Sequence, residues 1–420
     1  MSQNPEPSRP PVDVIVLGAG MVGVSTALAA RRRGLEVVLL DRREPGRETS
    51  YGNAGIVSSG SVLPLNHPGL WKSLPGYLGN RHPALRYDTG HLIRTMPWSI
   101  AFLAHATPVG ARRRSTALHG LLQASLALHR RWIREAGAER RLRETGWLKA
   151  WRSDSLEPAK REQAALAEFG IGSELLDRQA ISGLESDITP VYAVGLLHTQ
   201  TASVDSPGEV VAAYAAMFAR EGGRIEKTQI QSLSKQGDLW KVETEAGPLT
   251  SRHVVVALGP WSADLLRPLG YRVPLGFERG YHREFRAASD RSLRRPIHDV
   301  ERAFVITPVE NGVRVTSGVE LAPRDAPSRL DQIEAATAAA QGVLPLGEAV
   351  GEVWRGARPT LPDSLPAIGP APRHPGLWLG FGHQHIGFTT GPGTGEALAA
   401  MMAGEQPPFD VASFRPARVL

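Results

Sequence analysis

The sequence has 420 residues, of which 42% are hydrophobic and 21% are charged, proportions typical of a soluble globular protein with two domains. Its formal net charge is +6, and because the arginines are spread along the chain rather than gathered in one block, we expect no nucleic acid partner. The absence of cysteine excludes disulfides, thiolate metal sites and a cysteinyl link to a cofactor.

The first eleven residues are rich in Pro and Ser and predict a disordered tail over residues 1–11. They lack the basic-then-apolar order of a secretory signal. No later segment approaches the roughly 20 uninterrupted apolar residues of a membrane-spanning helix. We therefore expect a cytoplasmic protein.

The three elements of a βαβ unit follow the tail. Residues 12–17 and 35–40 are continuous apolar runs, as expected of parallel strands covered on both faces. Residues 21–33 have helical order, and Gly34 stands where a helix C-cap belongs. The first strand, the helix and the second strand therefore predict one βαβ unit.

The loop that joins the first strand to the helix has a dinucleotide-binding spacing of glycines. Gly18 permits a tight turn, Gly20 lets the backbone approach a pyrophosphate, and Gly23 lets the helix pack closely on the strand. Asp41, at the end of the second strand, is expected to accept hydrogen bonds from ribose hydroxyls. This pattern predicts a dinucleotide site without distinguishing NAD from FAD.

A long basic and leucine-rich stretch occupies the next part of the chain. Residues 92–190 are mostly helical in pattern and form a candidate inserted domain. The basic positions between Arg112 and Arg143 are interpreted as a solvated helix face. A peripheral contact with the inner membrane or with a partner is the alternative.

The rest of the chain alternates between strand and helix patterns. A helix is predicted near residues 210–220, and short strands are predicted within 224–233, 239–244 and 253–258. An antiparallel sheet is expected between residues 274 and 320, with a hairpin turn at Asn311-Gly312. The final seventy residues predict a short strand at 377–379 and, after a glycine-rich turn, a helix that begins near Gly395.

Four motifs carry a resemblance to a known family. Residues 48–56, ETSYGNAGI, resemble the loop that D-amino acid dehydrogenases and their relatives place along the pyrophosphate and isoalloxazine of FAD. Residues 254–262, 355–369 and 382–395 are similar to that family's second nucleotide-contacting strand, arginine–proline loop and C-terminal flavin loop. The chain thus resembles the D-amino acid oxidase superfamily, most closely the small-subunit type of D-amino acid dehydrogenase.

The resemblance implies an α/β fold in which a Rossmann-like FAD-binding domain joins an α+β substrate domain built on an antiparallel sheet. The FAD-binding domain is expected to be discontinuous, formed by residues 12–91, 192–272 and 350–415. Residues 92–191 and 273–349 are expected to form the substrate-binding domain.

The resemblance also implies FAD and a set of residues that contact it, and without cysteine the FAD is expected to be non-covalent unless a histidine carries it. The glycine-rich run at residues 391–395 is expected to precede a helix whose N–H groups face the flavin pyrimidine edge. The expected cofactor-binding residues are Gly18, Gly20, Met21, Val22, Gly23, Asp41, Arg42, Ser50, Asn53, Ala54, Gly55, Ile56, Ala257, Gly259, Trp261, Gly382, His383, Ile386, Gly387 and Thr389.

A smaller set of residues is expected to meet the substrate. Arg358 stands where the family's substrate-carboxylate arginine occurs, and a planar guanidinium grips a carboxylate at two points. His385 is expected to face the substrate cavity and His383 the flavin, while Tyr281 and His282 are expected at the substrate, although a core position explains these two equally well. The two loop histidines have no third ligand nearby in the sequence, so we expect no metal.

The reaction implied by the resemblance is oxidation of a D-amino acid, in which hydride passes from Cα to flavin N5 and the imino acid hydrolyses to a 2-oxo acid and ammonia. His385 or Tyr281 is a candidate acceptor for the ammonium proton. Sarcosine, glycine or a cyclic imino acid such as a D-hydroxyproline is an alternative substrate, and oxygen or a quinone is the expected electron acceptor. Two alternatives of other classes are a non-catalytic flavoprotein subunit of a larger complex and a nicotinamide dehydrogenase.

Overall fold

The computed structural model of the chain describes residues 10–288 and 291–420, so residues 1–9 of the predicted tail lie outside the described part. The helices are α1 (Met21–Arg31), α2 (Leu70–Tyr77), α3 (Thr89–Arg94), α4 (Met96–Ala104), α5 (Pro108–Glu135), α6 (Glu157–Ala167), α7 (Arg178–Leu184), α8 (Pro207–Arg220), α9 (Ser262–Leu266), α10 (Asp331–Gln341) and α11 (Gly387–Met402).

The strands are more numerous and shorter. They are β1 (Val12–Leu17), β2 (Val37–Asp41), β3 (Ile56–Val57), β4 (Leu85–Tyr87), β5 (Leu142–Arg143), β6 (Trp147–Trp151), β7 (Ser173–Asp177), β8 (Val194–His198), β9 (Ala202–Val204), β10 (Arg224–Lys227), β11 (Ile230–Gln236), β12 (Leu239–Thr244), β13 (Leu249–Val256), β14 (Gly276–Ala287), β15 (Ile297–Asp299), β16 (Phe304–Val309), β17 (Gly312–Thr316), β18 (Val319–Leu321), β19 (Leu346–Thr360), β20 (Ala367–Pro370) and β21 (Leu377–Phe381).

The first sheet, called here the nucleotide sheet, confirms the predicted βαβ unit. Its strands run in the order β10-β2-β1-β13, with β1 parallel to both β2 and β13. Leu17 is in register with Leu40 on one side and with Val256 on the other. The carboxyl ends of these three buried strands therefore meet at one edge, where the loops that follow them converge.

The second sheet, called here the substrate sheet, confirms the predicted antiparallel sheet. Its order is β4-β18-β14-β17-β16-β15-β6-β8-β7, and β19 pairs with β14 off this path. The hairpin of β16 and β17 closes on the pair Val309 and Gly312, so Glu310 and Asn311 form the turn, one residue earlier than predicted. The mixed α/β fold class predicted from the sequence is thus confirmed.

The segment predicted to be mostly helical contains strands as well as helices. It holds α5, α6 and α7, but also two strands of the substrate sheet: β6 lies between β15 and β8, and β7 pairs with β8 at the edge. Leu148 and Ala150 in β6 are fully buried, so tertiary packing rather than local helix propensity determines the secondary structure here. Because β8 and all of β19 belong to the substrate sheet, sheet membership does not follow the predicted domain boundaries at 192 and 350.

The arginines of the predicted basic stretch are largely engaged within the protein. Arg112, Arg130 and Arg141 form ion pairs with Glu168, Glu144 and Asp205. Arg114 is buried and donates to the carbonyl oxygens of Asn66 and His105. In the described residues, none of the helices combines the length and apolar character needed to span a membrane.

The glycine-rich segment near the C-terminus is part of a helix, and here the sequence-based prediction is wrong. Helix α11 begins at Gly387 rather than near Gly395 and includes Pro392. A Cβ added at Gly391 would lie 2.4 Å from Met21 Cγ, and one at Gly395 would lie 2.4 Å from the Ser25 carbonyl carbon. The glycines therefore let α11 pack directly on α1, and the segment 391–395 does not form a helix N-terminus.

This packing predicts that Gly395→Ala destabilises the protein. The added methyl group must displace backbone of α1 rather than a flexible side chain, which costs about 1–3 kcal/mol or more of unfolding free energy. Denaturant unfolding measures the change. The control is Gly183→Ala in α7, an exposed position with nothing within 4 Å of the added carbon, which is expected to be neutral or stabilising. Equal stability of parent and Gly395→Ala would contradict the packing account.

Candidate functional site

A cavity of about 800 Å³ lies between the two sheets. At one end it reaches the carboxyl edge of the nucleotide sheet, and at the other it reaches the face of the substrate sheet formed by β14, β15, β16 and β19. Segments that are far apart in sequence therefore line one continuous space.

The glycine loop forms the first end of the cavity. A Cβ on Gly18 would lie 2.5 Å from the Ala257 carbonyl oxygen, and one on Gly23 would lie 1.7 Å from the Gly18 carbonyl oxygen. Gly18 also has φ +105°, a conformation that favours glycine. The loop backbone is thus held close to β13 and α1, and its amides at the start of α1 are bare of bulky side chains.

Four side chains surround this end. Asp41 accepts hydrogen bonds from the backbone N–H of Ala19 at 2.7 Å and from that of Arg43 at 3.0 Å. Ser50 Oγ accepts from Met21 N–H at 3.1 Å. The Arg42 guanidinium lies 4.4 Å from the centre of the Trp261 ring, an arrangement typical of a cation–π contact.

The middle of the cavity is formed by the segment at residues 48–57, by the loop before α11 and by the first turn of α11. Asn53 Nδ2 donates to the His385 carbonyl at 3.3 Å, and Thr389 Oγ1 donates to the Ile56 carbonyl at 3.0 Å. From the substrate sheet, Arg314 donates to the carbonyls of Tyr51 at 3.1 Å and Asn53 at 2.6 Å. The two predicted flavin loops are therefore joined to each other and to the substrate sheet.

Two opposite charges lie side by side at the substrate-sheet end. Glu278 of β14 and Arg358 of β19 are register partners, and both line the cavity. Burial lowers the pKa of the Arg358 guanidinium, and the nearby Glu278 carboxylate opposes this shift. Burial raises the pKa of Glu278, opposed by a hydrogen bond from Thr360 Oγ1 at 2.8 Å and by Arg358.

These two charged groups are not paired with each other. Within residues 10–288 and 291–420, neither Glu278 nor Arg358 forms an ion pair, and the guanidinium of Arg358 makes no hydrogen bond. It lies over Gly280, where an added Cβ would come 2.5 Å from Nη2. A buried charge without a partner is costly, so this end of the cavity is suited to a ligand that carries charges of its own.

The two loop histidines both line the cavity and are both neutral at physiological pH. His383 Nε2 lies 3.0 Å from Thr394 Oγ1, and burial, with a smaller effect of Arg418, lowers its pKa to about 3. Burial and then the charge of Arg358 lower the pKa of His385 to about 4. The side chain of His385 is solvent-accessible because it faces the open cavity.

The structure does not support substrate roles for Tyr281 and His282. Tyr281 lines the cavity, but its hydroxyl donates to Glu320 at 2.5 Å and accepts from Arg279 at 2.6 Å, so its polar atom is already engaged. His282 is outside the cavity lining and stacks on Trp354 at 4.9 Å between ring centres. Burial, and then Arg314, lower its pKa to about 3.

Most of the predicted cofactor residues line the cavity, with three exceptions. Gly23, Gly55 and Gly382 lie behind its wall, where they shape the backbone. The predicted residues that do line it are Gly18, Gly20, Met21, Val22, Asp41, Arg42, Ser50, Asn53, Ala54, Ile56, Ala257, Gly259, Trp261, His383, Ile386, Gly387 and Thr389.

Several cavity residues escaped the sequence analysis. Glu278 and Trp354 face the cavity from β14 and β19, and Trp147 and His298 extend it along the substrate sheet. In the sequence Glu278 is one of two acidic residues of β14, and no local signal distinguishes it until its register partner Arg358 is known. The described residues contain no cluster of three or more His, Cys, Asp or Glu side chains that could hold a metal ion.

Comparisons with known proteins place these observations in a family. Residues 13–401 match the family model described as FAD dependent oxidoreductase. A D-amino-acid oxidase of Bradyrhizobium diazoefficiens is 31% identical over 97% of this chain and 99% of its own length. A D-amino acid dehydrogenase of Chromohalobacter salexigens is 31% identical over 95% of this chain and 97% of its own length.

Solved structures share the fold at lower identity. Glycine oxidase from Bacillus cereus has a TM-score of 0.72 and 20% identity, and covers 94% of this chain and 96% of its own. L-Proline dehydrogenase from P. horikoshii has a TM-score of 0.75 and 16% identity, with 97% of both chains covered. The fold is therefore that of this group of oxidoreductases.

The residues of the cavity fit FAD, the cofactor of the matched family. The backbone of residues 18–20 at the start of α1 is suited to a diphosphate, because it carries no bulky side chain and the dipole of α1 favours an anion there. Asp41 lies beside it and would accept from ribose hydroxyls. The cavity continues from there to Arg358, which leaves space for an elongated dinucleotide.

This arrangement predicts that Asp41→Ala weakens FAD binding. Loss of hydrogen bonds to a charged acceptor costs about 1.5–3 kcal/mol, or roughly a tenfold to hundredfold rise in the dissociation constant. The ratio of flavin absorbance to protein absorbance after dialysis, and a titration of the apoprotein, measure it. Asp13→Ala is the matched control, since Asp13 accepts from Glu36 N–H at the opposite end of β1. Similar FAD retention in both variants would contradict the role of Asp41.

Proposed function

Since this chain belongs to the FAD dependent oxidoreductase family, we propose that it oxidises a D-amino acid to the imino acid, which water converts to a 2-oxo acid and ammonia. The observation that carries the proposal is the unpaired Arg358 guanidinium at the cavity end farthest from the glycine loop. Two relatives at 31% identity, a D-amino-acid oxidase and a D-amino acid dehydrogenase, support the choice of substrate.

Arg358 is proposed to hold the substrate carboxylate. A guanidinium presents parallel N–H donors that match the two oxygens of a carboxylate, and the match is strongest where water is excluded. Pro359 follows on the same strand and lines the cavity beside it, and Gly280 leaves room for the guanidinium opposite. A substrate held at this point has its α-carbon inside the cavity rather than in solvent.

Bound FAD supplies a two-electron acceptor for the hydride that leaves the substrate Cα. The chain's own contribution is binding, orientation and exclusion of water. His385 is neutral because its pKa is about 4, and so it is a weak base for an ammonium group at neutral pH. We therefore assign His385 to the cavity wall and not to proton transfer.

Sarcosine, glycine and cyclic imino acids also carry a carboxylate that Arg358 would hold, so they are the alternative substrates of the proposed site. A glycine oxidase and an L-proline dehydrogenase share the fold, but their identities of 20% and 16% bear on the fold alone. Oxygen or a quinone is the proposed electron acceptor. A non-catalytic flavoprotein subunit would have no use for an unpaired buried guanidinium in its cavity.

The proposal predicts that Arg358→Ala raises the Michaelis constant for the amino acid by roughly a hundredfold or more, the effect of removing one partner of a buried charged contact. Steady-state kinetics with an artificial electron acceptor, with FAD content measured in parallel, provide the test. Arg358→Lys is expected to recover only part of the loss, because an ammonium cannot replace the bidentate contact.

The matched control is Arg355→Ala. Arg355 lies on the same strand but outside the cavity lining, with its guanidinium directed to the Ala326 carbonyl. This variant should keep the parental Michaelis constant. A near-normal constant in Arg358→Ala would remove the carboxylate role from Arg358.

A further inference from the structure

Glu278 is a second charged group of the cavity, and the proposed function leaves it without a role. It is a buried carboxylate, 6% exposed, on a strand face that it shares with Gly280. Thr360 Oγ1 donates to Oε1 at 2.8 Å. In the described part of the chain, Oε2 has no hydrogen-bond donor. One oxygen of a buried acid is thus available to a ligand in the cavity.

The geometry of the two strands places this carboxylate beside the proposed carboxylate anchor. Glu278 and Arg358 face each other in the antiparallel register of β14 and β19, so their side chains emerge on the same face as neighbours. They influence each other electrostatically without forming an ion pair. One fixed positive and one fixed negative group therefore stand next to each other with space above both.

An α-amino acid has the complementary arrangement of charges, because its carboxylate and ammonium groups are attached to one carbon atom. With the carboxylate on Arg358, the ammonium would lie on the Glu278 side. Binding of such a zwitterion satisfies both buried charges at once, whereas a simple carboxylic acid satisfies only one of them.

We propose that Glu278 is a catalytic residue that binds the substrate ammonium and accepts its proton. This inference rests on the proposed function. In the step, one N–H bond of the ammonium breaks and an O–H bond forms on Glu278, which leaves a neutral amine whose lone pair assists departure of hydride from Cα. The electrons of the C–H bond go to the flavin, and the proton on Glu278 later returns to solvent.

The other titratable groups near this carboxylate do not compete for the role. Arg358 of β19 is a cation, and His385 from the loop before α11 has a pKa of about 4. His282, four residues after Glu278 on β14, has a pKa of about 3. Glu320 of β18 forms an ion pair with Arg279 at 3.2 Å. Burial raises the pKa of Glu278, which makes its carboxylate a stronger base than an exposed one.

The test is anaerobic flavin reduction by D-alanine and by D-phenylalanine in the FAD-loaded protein, followed as a function of pH. Glu278→Gln is expected to lower the rate constant at pH 7 by about a hundredfold, the usual size of a lost acid–base contribution. Its rate should rise steadily with pH as solvent deprotonates the ammonium. The parent should instead lose activity only as pH falls through the raised pKa of Glu278, because the protonated acid cannot accept a proton. Glu278→Asp should restore part of the rate.

Binding of propionate and 3-phenylpropionate, which lack the amine, separates this role from a merely structural one. Their dissociation constants, read from the flavin spectrum, should not rise in Glu278→Gln, since Arg358 is intact and a negative charge has been removed. Glu352→Gln, an exposed position on β19, is the charge-matched control and should behave as the parent in all assays.

Three outcomes are distinguishable. Reduction of Glu278→Gln with the parental rate and pH profile overturns the inference alone. Weaker propionate binding in that variant overturns it as well, because Glu278 would then only position Arg358. If neither amino acid reduces the parental flavin nor perturbs its spectrum, the proposed function fails and this inference fails with it.

Discussion

A buried guanidinium with no ion-pair partner constrains the whole cavity, because such a charge is stable only where other groups compensate it. Arg358 obtains partial compensation from Glu278 across β14 and β19. Both strands belong to the substrate sheet, whose residue Arg314 also holds the loop at residues 48–57 through the Tyr51 and Asn53 carbonyls. The sheet that carries the charges therefore also fixes the loop that separates them from the nucleotide end.

The second constraint is the close packing of α11 on α1. Gly391 and Gly395 of α11 leave no room for side chains against Met21 and Ser25 of α1, and Gly393 leaves none against Ser125 of α5. Since α11 follows directly after His383 and His385, its position against α1 sets where that loop enters the cavity. The packing of α11 therefore also sets the shape of the cavity wall. A larger residue at one of these glycines is expected to alter both the helix packing and the wall.

Local patterns were enough to predict the βαβ unit, the glycine loop and the hairpin near Asn311, because their signals lie within a few residues of each other. The family resemblance led to Arg358 and to the loops that line the cavity. Helix α11 was misjudged since its glycines resemble a turn until α1 is known to lie against them. The site role of Glu278 was not predicted for a related reason. It depends on the register of Glu278 with Arg358, which joins distant segments and is not encoded in any local pattern.

Anaerobic exposure of the purified protein to single enantiomers of amino acids, with the flavin spectrum as the readout, tests the central claim most directly. Hydride transfer from Cα abolishes the visible absorbance of the flavin, so D-enantiomers are predicted to bleach it. Deuteration of the same compounds at Cα is predicted to slow the bleaching. Sarcosine, glycine and D-proline serve as comparison substrates. A spectrum without a flavin band, or a flavin that no member of this panel bleaches, would contradict the account.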